Sequence, residues 1–167
     1  SVDTLLRRTL MNAKGFADLL MLFPADTGGH PAWTAAVRAD EGWLWFSLKD
    51  PKVLTSSVFW LENRGRHMLP WFGRNNCVGL EEVTAFFADG LKPSATDNIL
   101  TKAGIKTAVE IKGSLTVNYI QGVVKIPAGF TEVAKVEFSG GIVTFVSPQG
   151  QRVVAPVRHE FLQTGEL

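Results

Sequence analysis

Residues 132–157 read EVAKVEFSGGIVTFVSPQGQRVVAPV, and this stretch decides the fold. Three short runs rich in β-branched and aromatic residues lie at 132–138, 142–147 and 151–157. Gly140-Gly141 separates the first two runs and Pro148-Gln149-Gly150 separates the last two, and both separators are typical of hairpin turns. Three short strands joined by tight turns predict an antiparallel sheet at this end of the chain.

An alternation of apolar and polar residues, with a period of two, extends over much of the remaining chain. Residues 105–111 alternate between Ile, Thr or Val and mostly polar residues, which predicts a half-buried strand. Further strands are predicted at 33–38 and 43–49 on either side of a turn, and also at 55–61 and 115–126. Many short strands with turn signals between them favour an all-β fold, an antiparallel sandwich or barrel.

Other parts of the chain carry weaker signals. Residues 80–88 (LEEVTAFFA) could form one or two helical turns with their acidic pair near the start, where the helix dipole favours it. Residues 89–104 have the composition of a long loop, and residues 1–23 fix no period. Because no linker or internal repeat divides the chain, residues 1–167 are predicted to form a single domain.

Composition excludes several classes of function. The net charge of +1 gives no reason to expect binding to nucleic acid or to an anionic membrane surface. The longest apolar runs are too short to span a bilayer, and the first residues lack a signal-peptide core. The single cysteine, Cys77, fits a reducing compartment, so a cytoplasmic location is expected and Cys77 is predicted to be buried. No metal-ligand spacing occurs, and neither a metal nor a cofactor is expected.

The segment most suited to ligand binding is 62–82, ENRGRHMLPWFGRNNCVGLEE. It combines arginines, amides and carboxylates with Trp, Phe, Leu and Met. This mixture is too polar for a hydrophobic core and too rich in large apolar residues for a solvent-exposed loop without a function. Flat aromatic faces beside forked hydrogen-bond donors are apt for a polyhydroxylated small molecule, with sugar the obvious candidate.

Three stretches carry a resemblance to a known family: WLWFSLKDP at 43–51, VFWLENRGRHMLPWFGRNNCVGLEEV at 58–83 and YIQGVVKIPAGFTEVAKVEF at 119–138. Together they resemble the galactose mutarotase-like (aldose 1-epimerase-like) superfamily, and most of all its uncharacterised bacterial members. The fold implied by this resemblance is an antiparallel β-supersandwich, of which this chain looks like the C-terminal half. The expected fold is therefore an all-β antiparallel sandwich.

The resemblance also implies roles for single residues. Gly79-Leu80-Glu81 is similar to the Gly-x-Glu step of the family, whose acid lies in the sugar cleft, so Glu81 is the first candidate for a ligand-binding carboxylate. Independently of the resemblance, His67 with Glu81 or Glu82 is the only local pair that could supply the acid and the base of mutarotation, so His67 and Glu81 are the catalytic candidates. The family's catalytic histidine belongs to the half that is absent here. The late acid of true mutarotases is replaced, because Pro127-Ala128-Gly129 is followed by Phe130.

The remaining candidates are sugar-binding residues: Arg66, Trp71, Arg74, Asn75, Glu82 and Asn98. Each of the main candidates has a structural alternative. Glu81 could form an ion pair with Arg66 or Arg74 that holds the loop, and Trp71 could be a core aromatic. His67 could donate to a backbone carbonyl, and Glu82 could be a solvated acid.

Three hypotheses of function follow. The chain could be an isomerase that interconverts the anomers of an aldose by acid–base catalysis. It could instead be a sugar-binding module without turnover, or a fragment that acts only through association. The expected ligand is a monosaccharide or a sugar phosphate. Because open strand edges and apolar faces invite pairing, a homodimer or association with a missing N-terminal half is also expected.

Overall fold

The computed structural model describes residues 16–166, with side chains from Asp18 onward. Strands predominate in this part of the chain and form three antiparallel sheets, so the expected all-β fold is confirmed. The strands are β1 (Phe16–Leu22), β2 (Ala32–Arg38), β3 (Trp43–Lys49), β4 (Ser56–Asn63), β5 (Asn76–Val83), β6 (Tyr119–Lys125), β7 (Lys135–Ser139), β8 (Ile142–Val146) and β9 (Arg152–Pro156). The helices are α1 (Leu91–Ala95), α2 (Ile99–Lys102) and α3 (Phe161–Thr164).

The described residues divide into two compact units. The first unit comprises residues up to Phe23 together with Leu54–Glu110, and the second comprises Pro24–Val53 together with the residues from Ile111 onward. The expectation of a single domain over 1–167 stays a prediction. No helix in the described part of the chain has the length and apolar character that crossing a bilayer requires.

The second unit is a sandwich of two sheets, ordered β2-β3-β6 and β7-β8-β9. Leu44, Phe46 and Leu48 alternate along β3 and point to the shared core, as expected for a strand with one buried face. Phe46 meets Phe145 of β8 with ring centroids 4.9 Å apart. Phe130 is fully buried in the same core.

The hairpins of this unit form where their turn residues predict them. Ser139 pairs with Ile142 across Gly140-Gly141, and β8 pairs with β9 beyond the turn at 148–150. Arg38 pairs with Trp43 in the β2–β3 hairpin. Gly42 has a φ of +76° there, which only glycine adopts without strain. These turns are local, so the sequence alone predicts them.

The first unit is built on the sheet β1-β4-β5, with β4 in the middle. β1 lies in the stretch that fixed no period, and it pairs along its whole length with β4, from Phe16↔Asn63 to Leu22↔Ser57. Met21, Val58 and Leu100 form its small core, with Leu19, Val83, Phe86, Phe87 and Ile105 packed around them.

Three of the expectations for this unit are wrong. Residues 80–83 are not helical, because they continue β5 in register with β4 as far as Ser56↔Val83. The loop expected at 89–104 contains α1 and α2. Residues 105–111 form no strand, because Thr107 is buried and hydrogen-bonds the helical segment instead. Its hydroxyl donates to the carbonyl of Ser94 at 2.7 Å and accepts from Asn98 Nδ2 at 3.0 Å.

Gly122 offers a test of the sandwich core. A β-carbon at this position would lie 2.5 Å from Cζ and 2.7 Å from Cε1 of Phe46, which real side chains do not tolerate. We expect Gly122→Ala to lower the free energy of unfolding by about 1–3 kcal/mol, the usual cost of overpacking. Urea unfolding of wild type and variant measures the difference. Combining Gly122→Ala with Phe46→Leu should restore part of the loss, and an unchanged midpoint for Gly122→Ala alone would contradict the packing.

A second test concerns Glu137 on β7. Its Oε2 accepts a hydrogen bond from Nη2 of Arg152 at 2.6 Å, and its Oε1 forms an ion pair with Nζ of Lys135 at 2.6 Å. The hydrogen bond from Arg152, and to a smaller extent that from Lys135, lowers the pKa of Glu137 from 4.5 to about 2. Because this pKa is lower in the folded state than in the unfolded state, the ionised carboxylate stabilises the fold at pH values above 4.5. This contribution is lost as the pH falls from 4.5 toward 2 and the carboxylate becomes protonated. We therefore expect Glu137→Gln to lower the unfolding midpoint at pH 7 and to have a smaller effect near pH 2.

The carboxyl titration followed by NMR provides the direct check on this pair. Added salt should reduce the effect of Glu137→Gln, because both partners are partly exposed and exposed ion pairs are screened. A titration of Glu137 at the ordinary 4.5 would show that the pair does not persist in solution.

Candidate functional site

The loop at 64–75 joins β4 to β5 and contains most of the candidate residues. The loop begins where the two strands separate, after the pair Asn63↔Asn76. The backbone N–H of Arg64 donates to the carbonyl of Asn75 at 2.7 Å, so the two ends of the loop are tied together. The loop is thus held at its base by the sheet that carries the site.

Backbone hydrogen bonds also order the interior of the loop. The N–H groups of Trp71 and Phe72 donate to the carbonyl of Met68 at 2.9 and 3.1 Å, and that of Gly73 donates to Arg66 at 2.7 Å. The Leu69–Pro70 peptide is cis. Gly73 has a φ of +66°, and a β-carbon there would lie 3.0 Å from Nδ1 of His67. Glycine at 73 therefore lets the chain turn beneath the imidazole.

Trp60 is the centre of the site. It lies on β4 opposite Gly79 of β5, and a β-carbon on Gly79 would lie 3.3 Å from both Cβ and Cε3 of Trp60. The indole can cover the neighbouring strand because that position has no side chain. Trp71 meets the indole edge-on with centroids 5.2 Å apart, and Cζ of Arg66 lies 5.3 Å from its centroid.

Glu62 lies two residues beyond Trp60 on β4 and therefore faces the same side of the sheet. Its side chain is fully buried. Oε1 accepts from the backbone N–H of Arg66 at 3.0 Å, and Oε2 lies 3.6 Å from Nε of Arg66. The ion pair that holds this loop is thus Arg66 with Glu62, whereas the sequence suggested Arg66 or Arg74 with Glu81.

Two buried polar atoms at the centre of the site lack a hydrogen-bond partner among the described residues: Nε1 of Trp60 and Oε2 of Glu62. Leaving a buried donor or acceptor unpaired costs about 1–3 kcal/mol, and native proteins rarely tolerate it without a reason. One of these atoms is a donor and the other is a charged acceptor. Oε2 of Glu62 keeps its ion pair with Arg66 at 3.6 Å, and neither atom is reached by solvent.

Glu81 lies close to this group. It follows Gly79 by two residues on β5, and its Oε1 lies 3.2 Å from where a β-carbon of Gly79 would be. Glu81 is exposed and opposite Val58 in the sheet. Glu82 points to the opposite face, because successive residues of a strand alternate, and its Oε2 accepts from the hydroxyl of Ser57 at 2.6 Å.

The other sequence candidates lie in different settings. His67 is exposed beside Gly73, and Cζ of Arg74 lies 5.4 Å from the ring centroid of Phe72. Asn75 is half-buried at the base of the loop, where its carbonyl accepts from Arg64. The structure therefore brings Arg66, Trp71 and Glu81 together around Trp60. No hydrogen bond or ion pair joins His67 to Glu81 in the described part of the chain.

Asn98 has a structural role in the helical segment. Its Oδ1 accepts from the backbone N–H groups of Leu100 and Thr101 at 2.9 and 3.0 Å, forming the N-cap of α2. Its Nδ2 donates to the carbonyls of Pro93 and Thr96 and to the hydroxyl of Thr107. Both polar atoms of this side chain are thus occupied within the fold.

Trp60 and Glu62 are the residues that sequence reasoning missed. The sequence predicts Trp60 only as part of a strand at 55–61, and Glu62 is only the first residue of the candidate segment. Their spacing of two, within a strand, places them on one face, but which face lies next to the loop depends on the pairing with β5. Cys77 is exposed on β5, so the expectation that it is buried is wrong. It lies on the edge strand opposite Glu62, where nothing in the sheet order covers it.

A cleft of about 330 Å³ in the second unit is a weaker candidate site. Its walls are formed by Gly141, Arg158, Glu160, Phe161, Thr164 and Glu166. Glu160 already accepts from the backbone N–H of Gly141 at 3.4 Å and lies 3.5 Å from Nε2 of His159. Hydrogen bonding from its own backbone N–H lowers the pKa of Glu160 below its usual value, so this carboxylate is well satisfied without a ligand.

Comparisons with protein-family models, curated proteins and solved structures found no match to this chain. The residues that the structure describes contain no group of three His, Cys, Asp or Glu side chains placed to hold a metal ion.

Asn98 allows a direct test of its structural role. We expect Asn98→Ala to lower the free energy of unfolding by about 1–2 kcal/mol, because it removes the N-cap of α2. Asn98→Asp keeps the capping oxygen and should recover part of that loss. Thermal unfolding of the three proteins measures both effects. An Asn98→Ala protein as stable as the wild type would show that the cap contributes little to the free energy of unfolding, and Asn98 would again be a candidate ligand contact.

Proposed function

We propose that this chain binds a monosaccharide or a sugar phosphate at the face of β4 and β5 centred on Trp60. The observation that carries the proposal is that two buried atoms, Nε1 of Trp60 and Oε2 of Glu62, have no hydrogen-bond partner among the described residues. Buried polar atoms are normally paired, so a ligand that displaces the side chains covering these atoms would satisfy both with its hydroxyl groups. A hydroxyl can accept from the indole N–H, and its neighbour can donate to the carboxylate.

The groups around this pair extend the match to a sugar. The guanidinium of Arg66 carries several donors in a fixed fork, which suits two neighbouring hydroxyls or a phosphate. The half-buried ring of Trp71 offers an apolar face to the C–H groups of a pyranose. Small-molecule sites commonly combine such aromatic walls with a few well-placed polar atoms.

Turnover is a second candidate function, and the position of Glu81 favours it. Anomer exchange requires one group that takes the proton of the anomeric hydroxyl and another that protonates the ring oxygen. Glu81 lies on the same face as Trp60 and is accessible, so it is the proposed base, with His67 as the proposed acid. Phe130 is a core residue, so this position contributes no acid to such a mechanism.

Saturation-transfer NMR with glucose, galactose and glucose 6-phosphate tests the proposal. We expect binding of at least one of these sugars. Glu62→Gln should weaken it about 10-fold or more, because it removes a charged acceptor, and Trp60→Phe about 5-fold, because it removes one neutral donor. Trp71→Ala should also weaken binding through loss of the stacking surface.

Stability separates a ligand contact from a structural one in this experiment. Trp60→Phe removes an unpaired buried donor together with part of a ring that packs on Gly79 and Trp71, so we expect it to cost no more free energy of unfolding than an ordinary Trp→Phe substitution while affinity falls. Trp43→Phe is the matched control, because that indole N–H already donates to Glu41 at 2.7 Å in the other unit and should not affect sugar binding. A wild-type protein that binds none of the sugars would refute the proposal.

The same samples show whether the site turns over its ligand. Exchange between anomers, measured by NMR line shapes or saturation transfer, should be accelerated if Glu81 and His67 act as base and acid, and Glu81→Gln should abolish it without unfolding the protein. Binding without accelerated exchange would identify a sugar-binding module.

A further inference from the structure

The loop at 64–75 carries an apolar tip formed by Met68, Leu69 and Phe72. These residues are 82 %, 75 % and 53 % exposed. The backbone N–H of Phe72 donates to the carbonyl of Met68 at 3.1 Å, so all three belong to one turn of the chain. Single exposed apolar residues are common on protein surfaces, whereas several large ones side by side mark an interaction site.

The backbone of the loop holds this tip in place. Phe72 has a φ of +51°, in the left-handed region that residues with a β-carbon rarely adopt. Such local strain is concentrated at functional positions, and here it accompanies an exposed aromatic ring. Trp71 anchors the same turn from below, because it packs edge-on against Trp60 of β4. The tip is therefore presented by an ordered turn.

Positive charge surrounds the tip. Arg64, Arg66 and Arg74 lie in the loop, and no acidic residue occurs between Glu62 and Glu81. Glu62 offsets the charge of Arg66, with which it forms an ion pair. Arg64 and Arg74 are exposed, and neither forms an ion pair within the part of the chain that the structure describes. Two free guanidinium groups thus accompany the apolar side chains.

Other exposed apolar residues of the first unit have a different setting. Leu91 on α1 is 82 % exposed, but it lies between Asp89 and Lys92. Ile99 on α2 follows Asp97 by two residues. Acids elsewhere in the chain reduce the net charge to +1, so the expectation of no anionic membrane partner, which rests on net charge, averages over the excess in this loop.

We propose that this tip inserts into the headgroup region of an anionic lipid membrane. Basic residues are attracted to anionic lipids, and large apolar side chains beside them enter the interface. Cζ of Arg74 lies 5.4 Å from the ring centroid of Phe72. This arrangement leaves the guanidinium at the level of the lipid phosphates while the ring occupies the apolar layer beneath.

The shape of the tip favours a lipid surface over a partner protein. Apolar residues contribute most to a protein interface when they fill well-packed pockets, so a protein would need matching pockets for three protruding side chains. A bilayer deforms around a convex tip and needs no such pockets. Because the inserted surface is small, the binding is reversible and depends on the two free arginines.

This surface shares its loop with the proposed sugar site but does not use Trp60 or Glu62. Membrane binding requires no sugar, and sugar binding is measured without vesicles. Either proposal can therefore fail while the other stands.

Co-sedimentation with multilamellar vesicles tests the proposal, with phosphatidylcholine alone or mixed with about 30 % phosphatidylserine. We expect the chain to bind the anionic vesicles at least about 5-fold more strongly than the neutral ones. Arg74→Gln should lower the partition coefficient for anionic vesicles about 5-fold, the usual effect of one basic residue near such a surface. Met68→Ser and Leu69→Ser should also lower it, because each removes apolar surface from the tip. Leu91→Ser is the matched control and should leave it unchanged, since Leu91 is as exposed as Met68 and lies outside the loop.

Two results would overturn the proposal. A wild-type chain that binds neither kind of vesicle would exclude a lipid partner and point to an acidic surface of another protein. Binding that is weakened by Arg74→Gln but unchanged in Met68→Ser and Leu69→Ser would show adsorption by charge alone, without insertion of the tip.

An environment-sensitive fluorophore measures insertion directly. The labelled chains carry Cys77→Ser, because the native thiol is exposed and would react. A nitrobenzoxadiazole group on Leu69→Cys should shift its emission to the blue and brighten when anionic vesicles are added, whereas the same group on Leu91→Cys should not. Unchanged emission from position 69 on vesicle-bound protein would show that the tip stays in water and would overturn the proposal.

Discussion

The close approach of Trp60 to Gly79 is the contact on which the candidate site depends. The indole covers the strand opposite only because Gly79 has no side chain, and this contact exists in one register of β4 and β5. A slip by one residue would turn Trp60 and Glu62 to the opposite face together, since the side chains of a strand alternate. The same register brings Asn63 and Asn76 together and so closes the loop whose Arg66 and Trp71 complete the cluster.

The cluster also shows a conflict between stability and binding. Glu62 is a buried carboxylate whose second oxygen lies 3.6 Å from Arg66, beyond a good hydrogen bond, and Trp60 has an unpaired N–H. A hydrophobic pair would fill this space at lower cost, because burying charge is expensive unless every lone pair is satisfied. Proteins tend to break the rules of packing where they act, so this imperfectly paired cluster is the best candidate for a functional site among the described residues.

The sequence predicts those parts of the fold that depend on neighbouring residues. Gly140-Gly141 and Gly42 specify hairpins whose two strands are adjacent in the chain, and these strands lie where the pattern predicts them. The first unit depends on distant partners, since Leu20 of β1 pairs with Phe59 of β4 and Thr107 bonds to Ser94. The composition of 62–82 predicts the binding segment, which includes Arg66, Trp71 and Glu81. The roles of Trp60 and Glu62 required the register, which no local signal contains.

Neither unit is continuous in the chain. Each consists of two segments, and the segment Pro24–Val53 of the second unit is inserted between the two parts of the first. On a ribosome, β3 therefore emerges well before β6, its partner, and the hairpin β2–β3 must wait with Leu44, Phe46 and Leu48 unprotected until the C-terminal segment has been made. Completion of the core therefore requires the residues from Ile111 onward, and no contiguous fragment that stops at residue 110 contains a whole second unit.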